Sequence, residues 1–572
     1  MIKMIKRMSV VSIIMAFVFM FIQVIADLYL PTLTSDIIDK GVATGDIDYI
    51  WRVGFIMLGV SLVGIVASVF NTLVATRESQ KLGRTIRSEI YRKVEYSSNN
   101  EFEKVGTASL ITRTTNDVNQ IQMVTQMVLR MMINAPLTLI GASLMAYKQN
   151  AGLTKIFLFI VPIIVVFMGV IMYFATPLFK SLQNKTDKLN LVFREGLTGI
   201  RVIRAFNQSK FETKRFDKAN KDYTDTAIKV NTIMSFMMPV LTLVISGTNV
   251  SIIWLGSHSI AEGTLEVGTM MAFMTYAMQI LMSFMMMSMI FIFVPRAQAS
   301  AERINEVLDM KNDIEDPTEP AGLDGDTSLV FDDVDFRYLG AENRALKHID
   351  FTAEKGDTVA VIGGTGSGKT TLVNLIPRFY DIERGTIRLN GQDIRQVEQK
   401  KLRDRIGFVP QRAVLFTGSI RENMQYGKKD ATDEEIWRAL EIAQAKSFVE
   451  ELPDKLDSYV EQGGGNFSGG QRQRLCIARA LVKPADVYVF DDSFSALDFK
   501  TDALLRAALK EHITDAVVVI VAQRISTVVD ADTIIVLDEG KMVGRGTHNE
   551  LKETNETYIE IIESQLRKEE IA

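Results

Sequence analysis

The sequence predicts a chain of two unlike parts: an α-helical domain of six membrane spans, then an α/β domain built around a phosphate-binding loop. Three observations carry this. The first 300 residues hold nearly all the long apolar runs. The glycine-rich run Gly363–Thr370 follows a strand-like segment and opens a helix-like one. Between the two parts lies a turn-rich stretch, 311–327.

A chain of 572 residues is too long for one compact core. Its 47% hydrophobic content and 12 prolines argue against disorder. The formal net charge of -5 carries no basic signature, so no nucleic-acid partner is expected. The single cysteine, Cys476, excludes an intramolecular disulfide and reads as a small core residue.

A bilayer core takes about 20 apolar residues as a helix. Six stretches qualify, near 8–30, 53–76, 123–147, 153–176, 230–256 and 267–294. The first follows Lys3, Lys6 and Arg7, as a signal peptide would, but it has no small-residue cleavage site and runs on into further spans. A retained helix is expected.

The loops predict orientation. Segments 77–118 and 178–226 are long and carry eight and eleven Lys/Arg. The loop 31–50 sets Lys40 against Asp36, Asp39, Asp46 and Asp48, and 257–266 has no Lys or Arg. The positive-inside bias makes the long loops and both ends cytoplasmic, in a multi-pass protein of the cell membrane. Recurrent apolar positions in 77–97 and 183–225 predict that spans two to five continue as helices, with turns near 98–106 and 196–207 far from the bilayer.

Some residues within the spans invite functional readings. Arg130 interrupts an apolar run; it lines a cavity, sits at the cytoplasmic mouth, or snorkels. Asp27 reads as interfacial, near the outer end of span one. The last span is rich in methionine, from Met270, Met271, Met274 and Met278 through Met282, Met285, Met286, Met287 and Met289. Thioethers suit varied apolar ligands, and they also pack against lipid. Pro136, Pro162 and Pro239 should break the backbone ladder locally.

In the second part, strand-like Thr358–Ile362 leads into Gly363, Gly364, Thr365, Gly366, Ser367, Gly368, Lys369 and Thr370, with Thr371 and Leu372–Leu375 continuing as a helix. Glycines let backbone N–H groups surround phosphate oxygens, and the helix start adds its dipole. Lys369 suits the β- and γ-phosphates, and Thr370 offers a hydroxyl to Mg²⁺. Val487–Asp491 reads as a buried strand ending in a second Mg²⁺ group. Ser468, Gly469 and Gly470, before the helical run Leu475–Val482, form another anion site. One nucleotide rarely needs two such sites, so a dimer that closes each on the other subunit's nucleotide is expected.

These motifs resemble those of the type IV ABC exporters, and the match spans essentially the whole chain. The resemblance implies a half-transporter: a transmembrane domain over 1–310, a linker over 311–327 and an ATP-binding cassette over 328–572. It makes Gly363–Thr370 the Walker A loop and Asp491 the Walker B carboxylate. It makes Ser468-Gly469-Gly470-Gln471 the signature, and Tyr338 the aromatic that stacks on adenine. Gln411 matches the glutamine that joins Thr370 and Asp491 at Mg²⁺. Ser495–Asp498 matches the loop coupling two sites, Glu461 a glutamate that touches the partner, and the turns near 98–106 and 196–207 the coupling helices. ATP and Mg²⁺ are the implied cofactors. A second exporter half, the lipid bilayer and a small amphipathic substrate are the implied partners.

Two positions depart from the pattern. The residue after Asp491 is Asp492, where the family usually has the catalytic glutamate. Its carboxylate falls about 1 Å short, and such a misplacement costs roughly a hundredfold in rate. The family's γ-phosphate histidine is Gln523, which cannot become a cation. His258, His348, His512 and His548 lie elsewhere. The resemblance is then to the degenerate-site subunit of bacterial heterodimeric multidrug exporters, with a slow homodimer as the other possibility. The expected activity is ATP-driven export of amphipathic drugs or lipids. A dedicated peptide exporter and a nucleotide-gated channel or regulatory subunit are the alternatives. An importer is disfavoured because spans and cassette share one chain. A peptidase-linked exporter is disfavoured because the chain opens on its first span.

Overall fold

The computed structural model describes residues 2–569. They form two compact units. One comprises the residues up to Glu95 with Ala108–Asp309, the other Tyr96–Thr107 with the residues from Met310 onward.

The first unit contains six long apolar helices: α1 (Val10–Val42), α2 (Ile47–Glu95), α3 (Thr107–Gln149), α4 (Ala151–Thr198), α5 (Ser209–Ala261) and α6 (Val267–Leu308). They outrun the predicted spans because helical backbone continues past the apolar stretches into polar, amphipathic turns. Helix α1 continues fifteen residues beyond Asp27. It carries Pro31 within it. A proline inside a helix leaves the carbonyl four residues earlier without its donor. That carbonyl is Asp27 O, and Gln279 of α6 donates to it from 3.4 Å. Beside it the buried Tyr276 hydroxyl donates to Leu28 O at 2.8 Å, with Thr32 Oγ1 also at 2.8 Å. Pro162 likewise lies inside unbroken helix, whereas Pro136 and Pro239 fall in the first turn of the segments Asn134–Gln149 and Met237–Ala261.

Polar pairs join α1, α2 and α3. Asn71 donates to Ala16 O at 2.8 Å, Gln126 to Thr76 at 3.0 Å and Gln122 to Gln80 at 2.9 Å. Where water is scarce, such partners satisfy groups that would otherwise be costly to bury.

Three π-helical turns interrupt these helices, at Ile37–Val42, Arg113–Asp117 and Val128–Met132. Such turns insert a residue and re-aim a side chain. Two of them seize α6. Asp39 accepts from Gly268 N at 2.6 Å and Thr269 N at 2.9 Å, satisfying the free donors at the start of that helix. Gly268 is required there, because a Cβ would stand 2.7 Å from Asp39 Oδ2. Near the other end, buried Asp117 pairs with Arg303 and accepts from Ser300 at 2.9 Å. Arg113 donates to Arg303 O at 2.7 Å and pairs with Glu306. The third turn holds Arg130, which is exposed on the single chain. Along α6, Met271, Met278 and Met282 are exposed, while Met270 and Met274 pack half-buried against the helix core. The side chain of Met289 lies outside the described residues.

The second unit is built on a ten-stranded sheet. Its strands are β1 (Ser328–Phe336), β2 (Leu346–Glu354), β3 (Thr358–Gly363), β4 (Arg384–Leu389), β5 (Gln392–Asp393), β6 (Ile406–Val409), β9 (Val487–Asp491), β10 (Val517–Val521), β11 (Thr533–Asp538) and β12 (Lys541–Gly546). Short β7 (Gly418–Ser419) and β8 (Tyr459–Val460) pair separately. The order is β5-β4-β1-β2-β12-β11-β3-β10-β9-β6, and β11, β3, β10, β9 and β6 run parallel. The all-apolar run Val517–Val521 is buried throughout, as a parallel strand covered on both faces must be. Cys476 is buried and free, in the core on one face.

The short helix Asn99–Val105 belongs to this unit. Tyr380 donates to Glu103 Oε1 at 3.0 Å, and Asn312 donates to Tyr96 O at 2.7 Å. The other long loop ends in the short helix Ile200–Ala205 within the first unit, with Val202 and Phe206 exposed.

Asp117→Asn should lower the melting temperature of the purified protein in detergent. It removes the charge from a buried carboxylate that pairs with Arg303 and accepts from Ser300, a loss of about 1–3 kcal/mol. Glu306→Gln, at an exposed carboxylate whose partner Arg113 also donates to Arg303 O, should change it less.

Candidate functional site

The site follows from strand order. In an open parallel sheet, ligands bind beyond the carboxyl ends of the strands. Here β3 ends at the loop Gly363–Thr370, β10 runs on to Gln523, β9 to Asp491 and Asp492, and β6 to Gln411. Because β9 lies between β10 and β6, both glutamines flank Asp492. The Gln523 carboxamide donates to Asp492 Oδ2 at 2.7 Å, and that of Gln411 at 3.3 Å.

The glycine loop is shaped for close backbone approach. Gly366 and Gly368 adopt φ of 83° and 102°, a region that side chains disfavour. Helix α7 (Lys369–Leu375) starts immediately after. Lys369 Nζ donates to Gly363 O at 2.9 Å and Gly364 O at 2.7 Å. Burial pushes its pKa below the ordinary lysine value, against the pull of Asp492 and Asp491. Ser367 Oγ is buried and makes no hydrogen bond among the described residues. Thr365 is exposed at the rim. A glycine loop with left-handed backbone, an oriented ammonium and a helix start follow one another within eight residues, an arrangement that suits a polyphosphate.

Thr370 Oγ1 donates to Asp491 Oδ1 at 3.0 Å, so hydroxyl and carboxylate can face one cation. Burial raises the pKa of both Asp491 and Asp492 above the usual carboxylate range. Asp492 has φ of 48°; its amide donates to Val521 O at 3.0 Å and its carbonyl accepts from Ser495 at 2.9 Å.

Thr371 Oγ1 lies 3.0 Å from the Tyr338 hydroxyl. The Tyr338 ring stands edge-on to Phe336 and Tyr380, half-buried beside the start of α7.

The second anion motif is separate. Ser468 caps helix α8 (Gly469–Leu481) in a reciprocal box: its hydroxyl accepts from Gln471 N at 3.3 Å, and Gln471 Oε1 accepts from Ser468 N at 3.0 Å. Having accepted, the serine hydroxyl can still donate. A Cβ on Gly469 would meet nothing within 4 Å, and one on Gly470 would meet Ala496 O at 3.3 Å. Asp498 caps helix α9 (Phe499–His512) through Thr501, and Glu461 N donates to Asn466 at 3.0 Å.

Comparison with known proteins agrees with this geometry. Residues 13–284 match the ABC transporter transmembrane region, and 346–495 match the ABC transporter family. The chain is 41% identical over 549 residues to an uncharacterised ABC transporter ATP-binding protein of Mycobacterium tuberculosis (strain H37Rv), covering 95% of this chain and 94% of that one. The chain belongs to the ABC transporter family.

Other relatives of this ABC transporter are YfiB of Bacillus subtilis, an uncharacterised ABC transporter ATP-binding protein, and an ATP-dependent lipid A-core flippase of Desulfotalea psychrophila. The first is 35% identical, covering 97% of this chain and 96% of that one. The second is 31% identical, covering 92% of each. The fold is that of a bacterial Atm1-family ABC exporter solved with ATP bound, with a TM-score of 0.80 at 24% identity, covering 97% of this chain and 99% of that one. This chain is therefore a multi-pass, ATP-hydrolysing exporter half with an ATP-binding cassette, of a kind that acts as a dimer in the bilayer.

Sequence reasoning missed two residues of this ABC transporter. Gln565 holds the loop after β10 from helix α10 (Glu556–Glu569), and Tyr380 holds Glu103. Neither lies in a motif, and both act across long sequence separations.

Gly368→Ala should destabilise the cassette by about 1–3 kcal/mol through its left-handed backbone. The added Cβ would also stand 2.8 Å from Leu346 Cδ2. A thermal melt of the full chain without nucleotide reads this directly.

Proposed function

We propose that this chain is the slow-site subunit of a heterodimeric exporter of amphipathic drugs or lipids, with both long loops and both termini cytoplasmic. The observation that carries the slow site is the environment of Asp492. Its short carboxylate is tied by two neutral carboxamides, from Gln523 and Gln411, on one oxygen. A carboxylate held in this way is poorly placed to activate water, and no imidazolium stands opposite to stabilise the developing phosphate charge. The intact signature, Ser468 with Gly469, Gly470 and Gln471, supports a working site on the partner. Lipid-like cargo is supported by a relative's name, lipid A-core flippase.

On this reading Lys369, Thr371 and the loop Gly363–Thr370 bind the phosphates, and Tyr338 packs on the base. Thr370, Asp491 and Gln411 would hold Mg²⁺, which neutralises phosphate charge when bound. Closure of two cassettes on ATP favours one arrangement of the helices by differential affinity, and hydrolysis at the partner's site resets it. The exposed apolar tip at Val202 and Phe206 supports docking to a second half.

Lys369→Ala should weaken binding of an ATP analogue about 10- to 100-fold, the loss of charge-assisted bonds worth about 1.5–3 kcal/mol. A filter-binding or fluorescence titration of the full chain measures it.

The asymmetry has a sharper test. Asp492→Asn touches a site that already turns over slowly, so total ATPase should fall little. Gly470→Asp puts a negative charge beside the phosphate in the partner's site, where lost transition-state stabilisation commonly costs 10²–10³ in rate. Both would be assayed with a partner half carrying the glutamate and histidine. Equal loss in the two variants would instead support a homodimer or a symmetric pair.

A further inference from the structure

The loop 523–525 is held from outside the site. Gln565 Nε2 donates to Gln523 O at 2.7 Å, while Gln565 Oε1 accepts from Ile525 N at 2.9 Å. The two partners fix the orientation of the carboxamide, since a flipped amide would set donor against donor and acceptor against acceptor. Ile525 N is the first free donor of the four-residue helix Ile525–Val528. The residue at the cap of that helix is Arg524, whose side chain has no acceptor, so Gln565 supplies one from across the fold. A cavity of about 570 Å³ opens beside the loop, lined by Asp492, Ser495, Gln523, Arg524, Ile562 and Gln565. On that side the loop is held by discrete contacts rather than by close packing: Gln565 at its backbone, and Arg524, which donates to Ser495 O at 3.5 Å and lies over the Phe499 ring.

Helix α10 is itself well mounted. Tyr558 is fully buried, its hydroxyl lies 2.8 Å from His548 Nδ1, and its amide donates to Asn555 Oδ1 at 2.8 Å. Ile561 and Ile562 pack on the core. A rigid helix thus reaches Asp492 through a short relay: Gln565 to the backbone of Gln523, and the Gln523 side chain to Asp492 at 2.7 Å.

We infer that Gln565 is a positioning residue for this chain's nucleotide site, holding the loop so that Gln523 stays on Asp492. This rests on the reading that Asp492 and Gln523 face the nucleotide. A displacement of about 1 Å at such a site can cost a hundredfold in function, so loosening a tether has a measurable effect.

The test is a double-mutant cycle on the full chain, read as the release rate of mant-ATP after mixing with excess ATP. Gln523→Ala and Gln565→Ala should each speed release about 3- to 10-fold, and the double variant should be no faster than the faster single. Gln565→Glu keeps an acceptor for Ile525 but turns an oxygen toward Gln523 O. It should release like Gln565→Ala while melting close to the parent, which separates positioning from unfolding. If the two effects multiply in the double variant, or if Gln565→Ala releases like the parent while Gln523→Ala is fast, the tether is overturned and the site stands. If Gln523→Ala itself changes nothing, the reading of the site falls, and the tether falls with it.

Discussion

The cassette depends on burying two consecutive carboxylates, Asp491 and Asp492, at the end of one parallel strand. Taking one charge out of water is costly, and two adjacent charges more so. The strand order meets this cost by bringing a different partner from each neighbour: Thr370 to Asp491, Gln411 and Gln523 to Asp492, and the Lys369 charge to both. An extended chain would send successive side chains to opposite faces. The left-handed backbone at Asp492 breaks that alternation. Aspartate adopts such a backbone more readily than most residues. The residue at this position therefore fits its backbone well while its carboxylate reaches less far than a glutamate's would.

The membrane unit obeys a different constraint. Helices in a bilayer associate without a hydrophobic force between them, so polar contacts and close packing decide which pairs form. Helix α6 collects these contacts along its length: Asp39 at residues 268 and 269, Gln279 on the freed carbonyl of Asp27 with Tyr276 on the Leu28 carbonyl, and Asp117 at residues 300 and 303. Two of the three sets come from π-helical turns, whose extra residue swings an aspartate out of line with its own helix.

What could be read from the sequence was local. The loop Gly363–Thr370, the strand Val487–Asp491 and the capped helix after Ser468 each announce themselves within about ten residues, through turn chemistry and apolar patterning. The six apolar helices are legible for the same reason. The order of the strands is not, and the flanking of Asp492 by two glutamines depends on it. Nor was Pro31 singled out, because its meaning depends on a donor at Gln279, 248 residues after it in the chain. Asp39 read only as one of several loop carboxylates until the π-helical turn aimed it at Gly268. Gln565 carried no signal, since an isolated glutamine on an amphipathic helix reads as an ordinary surface residue.

The two anion motifs in one chain gain their meaning from how each is satisfied. Lys369 rests on the carbonyls of its own loop, and Ser468 is engaged by the amide of Gln471. Neither draws on the other. Helix α8 meets β6 near its end, where a Cβ on Gly407 would face Ala480 O, and meets the chain after Asp492 at Gly470, against Ala496 O. In the sheet, β6 is three strands from β3, about 14 Å at the usual strand spacing. A motif that can still donate from Ser468, and whose Gly469 faces open space, therefore suits a nucleotide held on another chain. On that reading an exporter half can lose hydrolytic strength at Asp492 and Gln523 and keep a full signature, because the two are parts of different sites.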